Sequence, residues 1–203
     1  MDELRYANIA LDIFSIILSV LPIVYLVSNH RYRQKLNQYF LGICISNIFM
    51  IGGDLPDWLL PTAAEASEKR ILSAASAVYY IASAFVLYFF IWYVMEYLQI
   101  TGRAKKFCLL YALFLCSVQV IFAAISPFTG SIFYITDNGY QRGPLFLISQ
   151  LVPLLCYMLF MALVLIYRKK LLPREVVFFL LYIFIRTEPG PPPRSESPHP
   201  DAH

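Results

Sequence analysis

The chain has 203 residues, of which 59% are hydrophobic and only 14% are charged, whereas a soluble domain averages about 25% charged residues. Its mean hydropathy is +0.62, and a soluble fold of this length could not bury so much apolar surface. The composition therefore indicates a lipid environment and excludes most soluble enzymes and nucleic-acid-binding proteins. The net charge is +3, and the 16 basic residues form no single patch.

Six apolar runs organise the chain. They do not alternate with period two, so they predict α-helices rather than barrel strands. The first five supply the roughly 20 residues that a bilayer core requires, although the clear part of the second ends near Gly53. The predicted fold is an all-α integral membrane bundle of five full transmembrane helices and a partial sixth. The runs are Ile9–Val27, about Tyr39 to Leu60, Ile71–Tyr97, Phe107–Ile125, Pro144–Tyr167 and Val176–Ile185.

Basic residues predict the orientation, because cytoplasmic loops carry an excess of Lys and Arg. Ten such residues follow the first, third and fifth runs, and four lie on the other side. We therefore expect a multi-pass protein of the plasma membrane with its N-terminus outside. Trp58 and Trp92 then fall at the outer and inner interfaces. The first run is expected to be a retained helix and not a signal peptide, since residues 1–5 are net acidic.

The composition changes abruptly at Arg186. The sixth run ends at Ile185 after ten apolar residues, which span about half a bilayer. Residues 186–203 contain six of the 13 prolines and are expected to be a disordered tail after a membrane domain of residues 1–185. Either the last helix is short or re-entrant, or the chain leaves its parent's reading frame here and lacks the parent's downstream half.

The segment between the fourth and fifth runs predicts a small β-hairpin. Asn138-Gly139 lies between β-prone residues, and this dipeptide is the strongest short-range hairpin signal because both turn positions need a positive φ. We expect the hairpin on the extracellular side, folded back on the helices. Pro144 is expected in the first turn of the fifth helix.

The stretch from Ile132 to Leu145, with the core Tyr140-Gln141-Arg142-Gly143-Pro144, resembles a signature of certain bacterial sensor proteins, mostly from Gram-positive anaerobes. Leu172-Pro173-Arg174-Glu175 fits the same family. The resemblance implies a membrane region of about seven helices before a cytoplasmic diguanylate cyclase (GGDEF) domain or histidine kinase. It stops within the sixth helix. Gly52-Gly53-Asp54 lies at a helix end and is not the cyclase signature, so no enzymatic activity is expected of this chain.

Two groups of residues are candidates for an extracellular ligand site. Asp54, Asp57 and Trp58 form either a solvated loop start or a pocket for a cation or an amine-bearing ligand. Arg142 is either solvent-exposed, an anion contact, or an ion pair with Asp54 or Asp57 that latches the hairpin over the pocket. The complete set of candidate ligand-binding residues is Asp54, Asp57, Trp58, Tyr134, Tyr140 and Arg142.

Other polar residues lie within or beside the runs. Asp12 is expected to reach lipid headgroups or to pair with another helix. Glu96 is expected at the inner interface, near Arg103 or Lys105. The remaining three are expected to form interhelical hydrogen bonds, each contributing about 0.6 kcal/mol. They are Asn47, Gln119 and Gln150.

The sequence contains no recognisable set of catalytic or metal-binding residues. There is no nucleophile elbow, phosphate-binding loop or His-Glu-x-x-His motif, so no metal or other cofactor is expected. The four cysteines lie inside apolar runs without a C-x-x-C pair, which predicts packing residues rather than a disulfide framework. They are Cys44, Cys108, Cys116 and Cys156.

These observations favour a sensory input module that binds a ligand on its outer face and relays the binding inward. A small transporter is the alternative, motivated by the acidic residues in and beside the spans. It is weakened because no internal repeat is visible between the first and second halves. Expected partners are the lipid bilayer, an unidentified small extracellular ligand and a second copy of the chain, with no nucleic acid.

Overall fold

The computed structural model describes residues 2–60, 65–137 and 139–170. This part of the chain forms five long α-helices and one two-stranded antiparallel sheet, together with two short 3-10 turns, Arg31–Arg33 and Arg168–Lys170. The predicted partial helix Val176–Ile185 and the tail of residues 186–203 lie outside the described residues. The elements are α1 (Asp2–Ser28), α2 (Lys35–Leu59), α3 (Ala66–Tyr97), α4 (Gly102–Thr129), β1 (Phe133–Thr136), β2 (Gly139–Arg142) and α5 (Phe146–Ile166).

All five helices are long and apolar enough to cross a membrane. The best 18-residue window in each has a mean hydropathy between 1.3 and 2.4. The predicted five long apolar helices and the hairpin are therefore confirmed. The first four helices begin before their apolar runs, whereas α5 is slightly shorter than its run. The boundaries differ because polar end residues are compatible with helical backbone and are invisible to hydropathy alone.

The second helix continues past Gly53 to Leu59, close to the predicted end of its apolar run at about Leu60. Gly53 is buried at a close approach between α2 and α3, where an added Cβ would lie 2.7 Å from the carbonyl oxygen of Ala75. The glycine is therefore a contact residue and not a helix end. Asp54 and Asp57 consequently lie inside α2 and do not begin a loop.

The bundle is arranged around α3. This helix packs against α2, α4 and α5 and against both strands, whereas α1 packs mainly against α2. A capping box begins α3. The side chain of Glu65 accepts a hydrogen bond from the backbone amide of Glu68, and the side chain of Glu68 accepts one from the backbone amide of Glu65. Most of the buried core consists of apolar side chains from α3, α4 and α5.

The two ends of the bundle differ in charge. The hairpin end contains the start of α1, the end of α2, the start of α3 and the sheet. The basic end contains the α1–α2 and α3–α4 connections and the end of α5. Within the described residues, the basic end has nine Lys and Arg residues and a single acid, Glu96.

The hairpin pairs Thr136 with Gly139 and Phe133 with Arg142. Two residues, 137 and 138, therefore connect the strands, so Gly139 is the last turn position and not a central one. Its φ of 89° is a conformation that glycine adopts without strain. Asn138, the other half of the predicted dipeptide, lies outside the described residues.

Ser126 attaches the hairpin to α4. Its buried hydroxyl donates to the carbonyl oxygen of Phe133 at 3.0 Å and accepts from the amides of Ile132 and Phe133, each at 3.0 Å. Ile132 and Phe133 are themselves fully buried against the bundle. One serine thus satisfies three backbone groups at the point where the chain leaves the helix.

Pro144 lies before α5 and not in its first turn. The amides of Gly143 and Leu145 donate to the carbonyl oxygens of Ile132 and Ser131 at 2.7 and 2.8 Å, which holds this segment to the hairpin until α5 begins at Phe146. Gly143 packs directly against the backbone of Ser131, leaving no room for a Cβ.

Candidate functional site

A pair of tyrosines joins the hairpin to the central helix. The hydroxyl oxygens of Tyr80 on α3 and Tyr140 on β2 are 2.6 Å apart. Phe133 stacks on both rings, with centroid distances of 5.7 and 6.1 Å. Because Tyr80 is only 7% exposed, this contact lies between the hairpin and the bundle rather than on the surface.

Two opposite charges act on the Tyr140 hydroxyl. Burial raises the pKa of Tyr140 to about 12, and the charge of Asp57 raises it as well, whereas the hydrogen bond with Tyr80 and the charge of Arg142 lower it. Asp57 belongs to α2 and Arg142 to β2. Three of the six predicted site residues, Asp57, Tyr140 and Arg142, therefore interact electrostatically, and they come from two separate elements.

Arg142 and Tyr134 lie on different faces of the hairpin. Side chains alternate along a strand, and the register pairs Phe133 with Arg142 and Tyr134 with Gln141. Phe133 is buried, whereas Tyr134 is 45% exposed. The Arg142 guanidinium lies over the ring of Phe146, 4.7 Å from its centroid. Tyr134 is thus separated from Tyr140 and Arg142.

The other two predicted residues form a neighbouring group between α1 and α2. The indole Nε1 of Trp58 donates to Oδ2 of Asp54 at 3.2 Å. Arg5 of α1 donates to the carbonyl oxygens of Trp58 and Leu59 at 2.5 and 2.7 Å. Asp54 also interacts electrostatically with Asp12 of α1.

Asp12 has an unusual environment. Its Oδ2 atom is buried and has no hydrogen-bond partner among the described residues, and the charge that acts on it is that of another carboxylate, Asp54. Deeper in the same interface, Asn47 donates to the Ser19 hydroxyl at 2.9 Å, as predicted for a bond between helices.

A buried amide extends the tyrosine pair into the bundle. Nε2 of Gln119 on α4 donates to the carbonyl oxygen of Tyr80 at 3.1 Å and to the Ser83 hydroxyl at 2.8 Å. This bonding agrees with the interhelical role that the sequence predicts for Gln119. Its Oε1 is buried without a hydrogen-bond partner among the described residues.

Ionic contacts occupy the opposite end of α3. Lys105 forms a salt bridge of 3.0 Å with Glu96, one of the two predicted partners, and lies 5.6 Å from the centroid of the Trp92 ring. Trp92 stacks on Tyr39 of α2. The four cysteines are buried and unbridged, consistent with packing.

Comparisons with models of protein families, with curated proteins and with solved structures found no match. The hairpin end thus contains an acidic side chain, Asp57, a basic side chain, Arg142, and the tyrosine hydroxyls next to α3. Within residues 2–60, 65–137 and 139–170, no group of three or more His, Cys, Asp or Glu residues could hold a metal ion.

Sequence reasoning did not identify Tyr80, Ser126 and Arg5 as part of this region. Tyr80 lies in the middle of an apolar run, and Ser126 is the serine of a Ser-Pro step, which is typical of any loop. The periodicity of α3 places Tyr80 on the same face as Ser76 and Ala84, which marks it as buried. Only the fold shows that its partner is the hairpin.

Proposed function

We propose that the chain is the sensory input module of a bacterial signalling protein. In this proposal the five helices cross the plasma membrane, the hairpin end faces the exterior and the basic end faces the cytoplasm, as the excess of basic residues at that end favours. A small charged molecule binds at the hairpin end, where the charges of Asp57 and Arg142 act on Tyr140. The binding is relayed inward through α3.

The observation that carries the proposal is the hydrogen bond between Tyr140 and Tyr80. It couples a two-stranded hairpin, whose side chains carry charge, to a helix of 32 residues that is about 48 Å long. A ligand that competes for the Tyr140 hydroxyl changes the contact between hairpin and α3. The opposite charges on Asp57 and Arg142 suit a ligand that carries an amine, an acid, or both.

Ligand binding can be tested by thermal stability. The purified chain in a non-ionic detergent is screened against small amines, carboxylic acids and amino acids, and a saturable rise in Tm identifies a ligand. We expect Tyr140→Phe and Arg142→Gln each to weaken that response at least tenfold. Tyr134→Phe is the matched control, because it removes the same hydroxyl from the outward face of the hairpin, and it should leave the response unchanged.

The relay can be followed with the two tryptophans, one at each end of the bundle. In Trp58→Phe, Trp92 alone reports on the basic end, where it contacts Tyr39 and Lys105. Ligand addition should change Trp92 emission in this variant and not in the double variant with Tyr140→Phe. A ligand that binds without altering Trp92 emission contradicts the relay.

A transporter is the second candidate, favoured by one observation. A buried carboxylate oxygen of Asp12 lacks a hydrogen-bond partner among the described residues, and Asp12 interacts electrostatically with Asp54. Acidic residues inside membrane spans commonly mark ion or proton pathways. Substrate uptake into proteoliposomes that Asp54→Asn abolishes, and that Asp137→Asn at the hairpin tip leaves intact, would support this candidate over the sensor.

A further inference from the structure

A crevice opens at the basic end between α1, α2 and α3. Its volume is about 370 Å³, within the usual range of small-molecule sites. It is far from the tyrosine pair and from the acidic residues of the hairpin end, so it belongs to neither candidate function described above.

One part of the crevice is apolar. Pro22 and Leu26 from the last turns of α1 meet Phe40 of α2 and Tyr93 of α3, and the Phe40 and Tyr93 rings lie 6.1 Å apart. Tyr25 lines the same wall and is 55% exposed, among other exposed apolar side chains of α1. The apolar part is therefore continuous with the surface that faces hydrocarbon if the helices cross a membrane.

The other part of the crevice is polar and carries positive charge. Arg31, Gln34 and Asn37 line it. The Asn37 amide donates to the carbonyl oxygen of Arg31 at 2.8 Å and to Oε1 of Gln34 at 3.3 Å, which fixes the 3-10 turn against the start of α2. The polar rim is thus held in place by its own hydrogen bonds.

No acid neutralises this rim within the described residues. Glu96 is the single acid of the basic end, and it pairs with Lys105. The first turn of α2 also contains no acidic residue. The positive charge of Arg31 and the amide groups at the start of α2 therefore favour an anion at the rim.

We propose that this crevice binds the phosphodiester headgroup of an anionic phospholipid, with an acyl chain along Leu26 and Tyr25. A phospholipid is the occupant that matches both parts, because its charge suits the rim and its chain suits the apolar wall. Its place at the end of the helices is the depth at which headgroups lie.

Native mass spectrometry of the full chain in non-ionic detergent tests the proposal. The chain is titrated with phosphatidylglycerol and with phosphatidylcholine of the same acyl chains, and phosphatidylglycerol should bind more tightly. Arg31→Gln should weaken phosphatidylglycerol binding about fivefold, as expected for one basic residue near an anionic surface. Arg33→Gln removes the same charge from the same turn outside the crevice, and it should weaken binding less than twofold.

A second variant distinguishes a loss of lipid binding from a loss of folding. Gln34→Glu keeps the oxygen that accepts from Asn37 and places a carboxylate at the start of α2, where it stabilises a helix. It should repel the phosphate and weaken phosphatidylglycerol binding without lowering Tm. Gln38→Glu, on the same helix and exposed, is its control and should have no effect.

Three results would overturn the proposal. Equal affinity for the two lipids would show that the rim does not select an anion. Equal effects of Arg31→Gln and Arg33→Gln would place the lipid elsewhere. Displacement of phosphatidylglycerol by sn-glycerol 3-phosphate at comparable concentration would show that the crevice takes a free phosphate, and that the apolar wall contributes nothing.

Discussion

The hairpin end and the basic end of this bundle are held together by different forces. At the hairpin end, the sheet is attached to the helices by hydrogen bonds among neutral groups, chiefly those of Ser126 and the tyrosine pair, while Arg5 joins α1 to the end of α2. At the basic end the contacts involve charged side chains: Lys105 forms a salt bridge with Glu96, and Lys170 donates to the carbonyl oxygen of Leu98 at 3.0 Å. The one salt bridge described at the hairpin tip, Lys69 with Asp137, is largely exposed and contributes little.

This difference separates what each end can respond to. Buried hydrogen bonds that share one side chain are all lost when that side chain is removed, but their strength does not depend on the salt concentration. Half-exposed ionic contacts are weaker, yet they change with ionic strength and with the charge of nearby lipids. A hairpin that is fixed to the helices by neutral bonds and a basic end that is adjustable are compatible with the proposed function, in which binding at one end causes a rearrangement at the other.

The largest expected effect is that of Ser126→Ala. The substitution leaves the buried amides of Ile132 and Phe133 without an acceptor and the Phe133 carbonyl without its donor. Each unsatisfied buried group costs about 1–3 kcal/mol. We expect the free energy of unfolding to fall by about 3 kcal/mol and the hairpin amides to exchange hydrogen at least tenfold faster.

Thr129→Ala is the control for that prediction. Thr129 lies one turn further along α4 and is exposed, and its hydroxyl bonds to the Ile125 carbonyl and the Ser131 hydroxyl. The loss should stay below about 0.5 kcal/mol, as for most surface substitutions. Similar losses for the two variants would show that the hairpin is not held by buried hydrogen bonds, and the contrast between the two ends would fail.

The second prediction concerns alkaline pH. Burial raises the pKa of Tyr140 from its ordinary value of 10 to about 12, so the folded state holds this proton more tightly than the unfolded state. The stabilisation is complete below about pH 10 and is lost as the pH rises towards 12. The free energy of unfolding should fall by on the order of 2 kcal/mol over this interval.

Tyr140→Phe isolates this contribution. The difference in stability between the wild-type chain and this variant, measured by thermal unfolding from pH 9 to 12, should shrink with increasing pH. Tyr134→Phe should leave the pH dependence unchanged, because Tyr134 points away from the bundle. A pH-independent difference between wild type and Tyr140→Phe would place the hydroxyl in contact with solvent.

The sequence predicted the helices and the hairpin because both rest on local signals. An apolar run of more than 18 residues is helical whatever surrounds it in a membrane, and Gly139 needs a positive φ whatever the hairpin contacts. Gln119 could also be assigned, since a lone amide in an apolar run needs a partner on another helix. The role of Gly53 could not, because it looks like a helix breaker until α3 is placed against it.

The candidate site was predictable only in part for the same reason. Asp57, Tyr140 and Arg142 were chosen for their chemistry, and in the fold the charges of Asp57 and Arg142 both act on the Tyr140 hydroxyl. Tyr134 was chosen with them, but strand alternation puts it on the other face once the register is known. Tyr80 could not be chosen at all, because its role depends on a contact between residues 60 positions apart.

The smallest expected effect belongs to the basic end. Glu96→Gln removes the salt bridge with Lys105, whose two side chains are 31% and 25% exposed, so the loss in the free energy of unfolding should be about 0.5 kcal/mol at low salt. Raising the salt concentration to about 1 M shortens the Debye length to about 3 Å and should erase most of this difference. Trp92 emission should shift in the same variant, because Lys105 lies over its ring.

The hairpin amides should meanwhile exchange at the wild-type rate at both salt concentrations. If salt accelerated hydrogen exchange at the hairpin as much as it altered Trp92 emission, the two ends would not be stabilised by different forces.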